Sequence, residues 1–404
     1  MISRRRLLQL GAAAALSGRS VRLYAAPPSG PRFLLVFLRG GYDATSLLIP
    51  YSSGFYYEAR PNIAIAKPDP NQAAGALALD ANWALAPAVR ETIGALYRAG
   101  QVAFVPFAGT EDLSRSHFET QDSIELGQPL AAARNFRSGF MGRLAETLTG
   151  GERDAAPISF TDALPLAFEG TAPVPNLSLK NLGKPPFDDR QARILTEMYS
   201  GHRLESAVSG GLELRHEVAR EMADEMRTSG RDSINTKGFE LEAERMGVLM
   251  RDKYRIGFID VGGWDTHVGE GAAQGVLAAN LGSLGRGLQG FSQSLGAEWH
   301  NTVVVVLSEF GRTFRENGNK GTDHGHGNVM WVLGGGVRGG KVYGDWPGLD
   351  AGALYEGRDL AVTTDFRQVL ASVLGPHFGL HDRDLRQLFP GMPKAHGSLA
   401  LMNA

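Results

Sequence analysis

Ten histidines, no cysteine and a spread of carboxylates restrict the chemistry this chain can do at a fixed site to imidazole, carboxylate and hydroxyl groups. Four of those histidines fall in short glycine-rich or polar segments: Ser116-His117, Asp265-Thr-His267, and Asp323-His324-Gly-His326. Imidazole and carboxylate donors without sulfur suit zinc first, then manganese or iron, with calcium or magnesium where oxygen dominates. Asp265 and His267 read as two ligands on one loop, against a plain turn with a capping Asp. His324 and His326 read as two rings aimed inward from a flexible loop, against a solvated one. Glu309 follows a valine run and is costly to bury alone, so a metal or Arg312 must compensate it. Ser116 is a candidate nucleophile at a helix start, or simply the cap of that helix. His117 beside it is ligand, acid or packing. Arg312 is a candidate for binding an anion.

These residues are useful together only if the fold brings them together. Arg32 to Leu38, Gln101 to Phe107, Arg255 to Asp260, Asn301 to Leu307 and Asn328 to Leu333 are short apolar runs, as expected of strands buried on both faces of a parallel sheet. A weaker strand falls at Pro157 to Phe160. Helices are expected over Ala86 to Arg98, Ala272 to Leu295 and Phe366 to Leu374, the last capped by Thr363-Thr-Asp365. The alternation predicts an α/β fold, doubly wound and mostly parallel, with helices on both faces. In such sheets ligands bind beyond the carboxyl ends of the strands, where Asp43, Asp260, Asp265, His267 and Glu309 fall.

The chain opens with Ser3-Arg4-Arg5-Arg6-Leu7-Leu8, then a short alanine-rich apolar stretch and small residues. That order is a targeting segment, too short to span a bilayer, and it resembles the twin-arginine export signal. Residues 1–26 are therefore expected to be this signal and 27–404 a single domain, with 185–255 a helical surface or cap region. The expected location is the periplasm or outside the cell, the expected partner the twin-arginine export machinery. The absence of cysteine reads as a fold matured in the cytoplasm and exported intact, which cannot rely on periplasmic disulfide formation, against the plain rarity of cysteine. The formal charge of −2, from 41 basic and 43 acidic residues without a basic run, excludes a nucleic-acid backbone as partner, and no apolar run reaches membrane length.

The motifs Phe37-Leu-Arg-Gly-Gly-Tyr-Asp43, Ser116-His-Phe-Glu-Thr-Gln121, Gly263-Trp-Asp-Thr-His267, Ser308-Glu-Phe-Gly-Arg-Thr313 and Asp323-His-Gly-His-Gly327 together resemble one twin-arginine-exported family of unknown function, catalogued under the number 1501. That family is itself similar to the alkaline phosphatase and sulfatase superfamily. The resemblance implies an alkaline-phosphatase-like fold, metal ligation by Asp43, Asp265, His267, Glu309, His324 and His326, and Ser116 at the nucleophile position, with His117 and Arg312 in the catalytic set. The chain departs from the superfamily at Glu309-Phe310, where Asp-His is usual, because Phe310 cannot ligate. The implied function is an exported metal-dependent hydrolase of phosphate or sulfate esters, acting on a small anionic ester or a polymer. The alternative is a non-catalytic periplasmic protein binding a metal or ligand on the same scaffold.

Overall fold

The computed structural model describes residues 30–72, 74–131, 133–148, 155–177, 194, 196–201, 204–205, 208, 239–344, 346, 348–393 and 399–403. The expected export signal, and much of the expected cap region, lie outside them.

β1 (Arg32–Leu38) is buried at every position. Its side chains alternate between two cores. Leu34, Val36 and Leu38 face one, shared with α5 (Phe239–Asp252) and α6 (Val276–Leu295); Phe33, Leu35 and Phe37 face the other, shared with α4 (Phe140–Leu148) and α7 (Phe366–Phe378). Two covered faces explain why the strand reads as one apolar run instead of an alternation.

The remaining strands are β2 (Leu48–Ile49), β3 (Leu77–Ala78), β4 (Ala84–Leu85), β5 (Val102–Gly109), β6 (Pro157–Ser159), β7 (Ile256–Val261), β8 (Thr302–Ser308), β9 (Asn328–Leu333), β10 (Lys341–Val342) and β11 (Thr364–Asp365). The main sheet runs β10-β5-β9-β8-β1-β7-β6, with β11 also on β5; β2, β4 and β3 form a small separate sheet. Every pairing in the main sheet is parallel except those of β9, which is antiparallel to both β5 and β8. The fold is thus α/β, mostly parallel, with helices on both faces. The reversed β9 has a direct consequence: the loop that enters it lies on the same edge as the loops that leave β1, β5, β7 and β8.

The other helices are α1 (Gly54–Ala59), α2 (Ile93–Arg98), α3 (His117–Leu126) and α8 (Asp382–Leu388). The helix expected over 86–98 is split into a 3-10 turn at Pro87–Val89 and α2, because Thr92 departs from helical angles (φ −103°, ψ −84°). Asp365 caps α7 as expected, completing a capping box with Gln368. Among the described residues no helix is long and apolar enough to cross a membrane.

Candidate functional site

Four loops meet at the shared edge. The β5 to α3 loop supplies His117 at the first helical position, the loop after β7 supplies Asp265 and His267, the loop after β8 supplies Glu309 to Arg312, and the loop entering β9 supplies His324. The Nε2 of His267 lies 3.0 Å from Asp265 Oδ1 and 3.1 Å from His324 Nε2. His324 Nε2 lies 3.2 Å from Asp265 Oδ1, and His117 Nε2 lies 3.6 Å from Asp265 Oδ2. Ligand atoms of His117, Asp265 and His324 all fall within 4.8 Å of one another.

The opposite ring nitrogens fix the tautomers. His117 Nδ1 is 2.8 Å from Glu309 Oε1, His267 Nδ1 is 3.1 Å from Asp323 Oδ1, and His324 Nδ1 is 3.0 Å from the Arg115 carbonyl. Each acceptor takes the Nδ1 hydrogen, which leaves a lone pair on each Nε2; those of His117 and His324 face Asp265, and that of His267 lies beside Asp265 and 3.4 Å from Arg312 Nη1. Imidazoles backed in this way by carboxylates and carbonyls are the usual setting of metal-ligating histidines. Around a tetrahedral zinc with bonds of about 2.0–2.1 Å, ligand atoms would stand roughly 3.3 Å apart, close to the spacing here. Two imidazole nitrogens and one carboxylate, those of His117, His324 and Asp265, thus fit a first-row dication in chemistry and in spacing, and His267 Nε2 adjoins two of the three.

The supporting shell is built from buried groups. Glu309 is fully buried; Oε1 accepts from Gly40 N (2.8 Å), His117 and Gln121 Nε2 (3.0 Å), and Oε2 from Ser308 Oγ (2.8 Å). Burial alone would raise its pKa, but the bonds from His117 and Gln121 prevail and hold it below the usual carboxylate range. In turn the bond to Glu309 raises His117. His324 is lowered, by burial first and then by the neighbouring His117 and Arg312 charges. Asp265, despite burial, is held low by Arg312. Gln121 has a fixed orientation because its Oε1 accepts from Arg39 (2.8 Å), itself held by Asp260 (2.7 Å) and Glu125 (2.9 Å). Asp260, considered as a ligand from its place near the end of β7, is thus an anchor for Arg39.

Other expected residues are engaged elsewhere. Asp43 is buried against Arg60, which reaches both of its oxygens (2.5 and 3.0 Å), while Thr45 and Ser46 add hydroxyls (2.9 and 2.5 Å). Its carboxylate already has a cation, and it is not among the converging atoms. Glu309 backs His117 instead of joining the cluster. His326 is buried against Tyr355, ring centroids 5.3 Å apart, so of the two histidines in that loop only His324 reaches the cluster. Arg312, expected to bind an external anion, has its five N–H groups directed to the carbonyls of Gly40, Gly41, Trp264 and Thr322, to Asp265 and to His267. It ties together three of the loops. The expected Glu309 to Arg312 ion pair is replaced by the one with Asp265.

Ser116 is the N-cap residue of α3 by position, yet its hydroxyl makes no capping bond. Phe310 packs on the rings of His117 and His324, each centroid 4.9 Å away, and forms a wall of the cluster. Glycines permit the close approach of the loops: a Cβ at Gly41, at φ +61°, would stand 2.5 Å from the Phe310 ring, and one at Gly325 would stand 2.4 Å from the Arg312 backbone. Sequence reasoning missed Gln121, Arg60 and the Arg115 carbonyl. Gln121 had a signal, since it lies four residues after His117 on the same helical face. Arg115 carries the strain of φ +52° and is pinned by Asp359 (2.8 Å).

The fold and the cluster define a mostly parallel α/β protein with a histidine and carboxylate centre at the carboxyl edge of its sheet. The chain belongs to the family described as protein of unknown function (DUF1501), whose model matches residues 31–389. No curated protein matches it. Among solved structures it is similar to Ps i-CgsB in complex with k-i-k-neocarrahexaose, at 10% identity and a TM-score of 0.40 over 88% of this chain and 74% of that one. It is also similar to a protein in the alkaline phosphatase superfamily from Vibrio parahaemolyticus, at 11% identity and a TM-score of 0.35 over 83% and 69%.

Proposed function

We propose that the protein is an exported metal-dependent hydrolase of phosphate or sulfate esters, with His117, Asp265, His267 and His324 holding one divalent cation, zinc first. The observation that carries this reading is the convergence of three imidazole Nε2 atoms on Asp265, each ring backed at Nδ1 by an oxygen. Lone pairs 3.1 Å apart repel one another unless a proton or a cation lies between them. When bound, the cation supplies Lewis-acid polarisation of an ester oxygen. Ser116, beside His117 and at the positive end of α3, is the nucleophile of the proposal; its hydroxyl is not spent on capping. Phe310 limits water on one side of the cluster. The export machinery as partner, a periplasmic or secreted location, and a small anionic ester or polymer as substrate complete the proposal on the Arg4-Arg5 segment and the motif resemblance.

The test is elemental analysis of protein from its native compartment, then turnover of aryl phosphates, phosphodiesters and aryl sulfates by protein loaded with each metal. About one metal per chain, with turnover abolished in Ser116→Ala, is the expected result; no turnover with any metal removes the hydrolase. The engagement of every Arg312 donor favours a second reading, a non-catalytic metal- or ligand-binding protein, since it leaves that guanidinium no bond for an ester anion. Under that reading metal raises the melting temperature without activity.

A further inference from the structure

Below the cluster lies a buried group that the proposed chemistry does not use. Glu270 is completely buried. Its Oε2 accepts from Thr266 Oγ1 and from Thr322 Oγ1, both at 2.9 Å. Thr266 stands between Asp265 and His267, and Thr322 stands two residues before His324. One carboxyl oxygen therefore gathers the two loops that carry three of the four candidate ligands. The backbone repeats the connection: Thr322 N donates to the Thr266 carbonyl (3.2 Å) and Glu270 N to the Lys320 carbonyl (3.0 Å). The other oxygen, Oε1, receives no donor, yet Glu270 lies within hydrogen-bonding range of Asp43.

The charges around this pair do not balance with two anions. Arg60 is the cation that faces both, and its donors are spent on Asp43, Ser46 and the carbonyls of Thr313 and Phe314. One guanidinium neutralises one carboxylate. A second buried anion beside Asp43 would have neither a counter-charge nor a donor at Oε1, which is far costlier than retaining a proton there. A hydrogen on Glu270 Oε1, donated to Asp43, satisfies both groups and leaves Oε2 as an acceptor for the two threonines.

We infer that Glu270 is a positioning residue of the cluster: a neutral carboxyl that hangs the Asp265-Thr266-His267 and Thr322-Asp323-His324 loops from one oxygen and anchors them to Asp43 through the other. The inference rests on the metal reading of the cluster for its consequence but not for its geometry. Burial and the adjacent Asp43 charge, which both push Glu270 upward, agree with it.

Glutamine has the same shape as a protonated glutamate, with its carbonyl for the threonines and its amide for Asp43. Zinc affinity, measured by competition with a chromophoric chelator, is therefore expected to stay within about threefold of wild type in Glu270→Gln, and to fall roughly 10- to 100-fold in Glu270→Leu and in the double variant Thr266→Val with Thr322→Val, the usual cost of losing an outer-shell partner. In metal-free protein, amide exchange over residues 264–268 and 321–326 is expected to quicken in the Leu and Val variants and not in the Gln variant. The double variant keeps the test open where Glu270→Leu does not fold. A Gln variant as impaired as the Leu variant overturns the neutral carboxyl; wild-type affinity and exchange in the double variant overturn the positioning role. Wild-type protein that takes no zinc defeats the metal reading alone, and the exchange measurement then decides the role of Glu270.

Discussion

Replacing Glu309 by glutamine separates the charge of this buried group from its hydrogen bonds. The Gln carbonyl at the Oε1 position still accepts from Gly40 N, His117 and Gln121. The new amide falls at Oε2, facing Ser308 Oγ, and that serine can spend its single proton on the Leu38 carbonyl, 2.5 Å away, while accepting from the amide. The three donors at Oε1 keep their acceptor and only the second N–H of the new amide lacks one, so metal-free Glu309→Gln should lose about 1–3 kcal/mol in urea. The charge, however, is gone. Charge-assisted hydrogen bonds are about twice as strong as neutral ones, a difference of about 1 to 1.5 kcal/mol at His117, so zinc affinity should fall about tenfold and the His117 pKa should move down. Glu309→Ala strands three N–H donors, that of Gly40 buried and those of His117 and Gln121 part-buried, at about 1–3 kcal/mol each, and should lose at least about 3 kcal/mol. Urea curves, chelator competition and an NMR titration of the histidines measure the three effects. If the Gln variant is as unstable as the Ala variant, or keeps full zinc affinity, Glu309 does not tune His117 as argued.

Three further outcomes follow from the same structure. His377 is lowered to about 4 by burial while its Nε2 donates to the Arg32 carbonyl (2.8 Å). The folded state thus prefers the neutral ring, so stability present above about pH 6.5 should be lost as pH falls toward 4, by up to about 3 kcal/mol, and urea unfolding of His377→Gln should lack that slope. Gly325→Ala, whose Cβ would press on the Arg312 backbone, should cost at least about 2 kcal/mol in urea and displace His324, with zinc affinity falling alongside; a neutral result would mean the loop has room to shift. Arg312→Lys should destabilise by several kcal/mol without any change in affinity for free sulfate, since a lysine replaces five directed donors with three and the guanidinium binds the loops, not an external anion.

The strands were legible because burial on both faces writes an unbroken apolar run, as at Val303 to Leu307, and the edge that gathers the site follows from strand direction alone. The choice between His324 and His326 was not legible. Two residues apart in an irregular loop, they face different ways, and only the packing of Tyr355 on one and the Arg115 carbonyl on the other decides which reaches Asp265. Asp43 and Asp260 sit where strand-end ligands are expected, but each has an arginine from a distant segment, and no local pattern announces such a pair. Glu309 was legible as a buried charge in need of compensation. That its compensation comes from a histidine, a glutamine and a backbone amide depends on how α3 lies over the end of β8.

Since β9 runs against its neighbours, the cluster is assembled from segments entering and leaving the sheet, with positions 117 and 324 at its extremes. No contiguous stretch of the chain holds it. An ion seated there would register completion of the sheet from β5 through β9, and none of the shorter fragments should retain it; chelation would then loosen the loops of three strands at once, not a single turn.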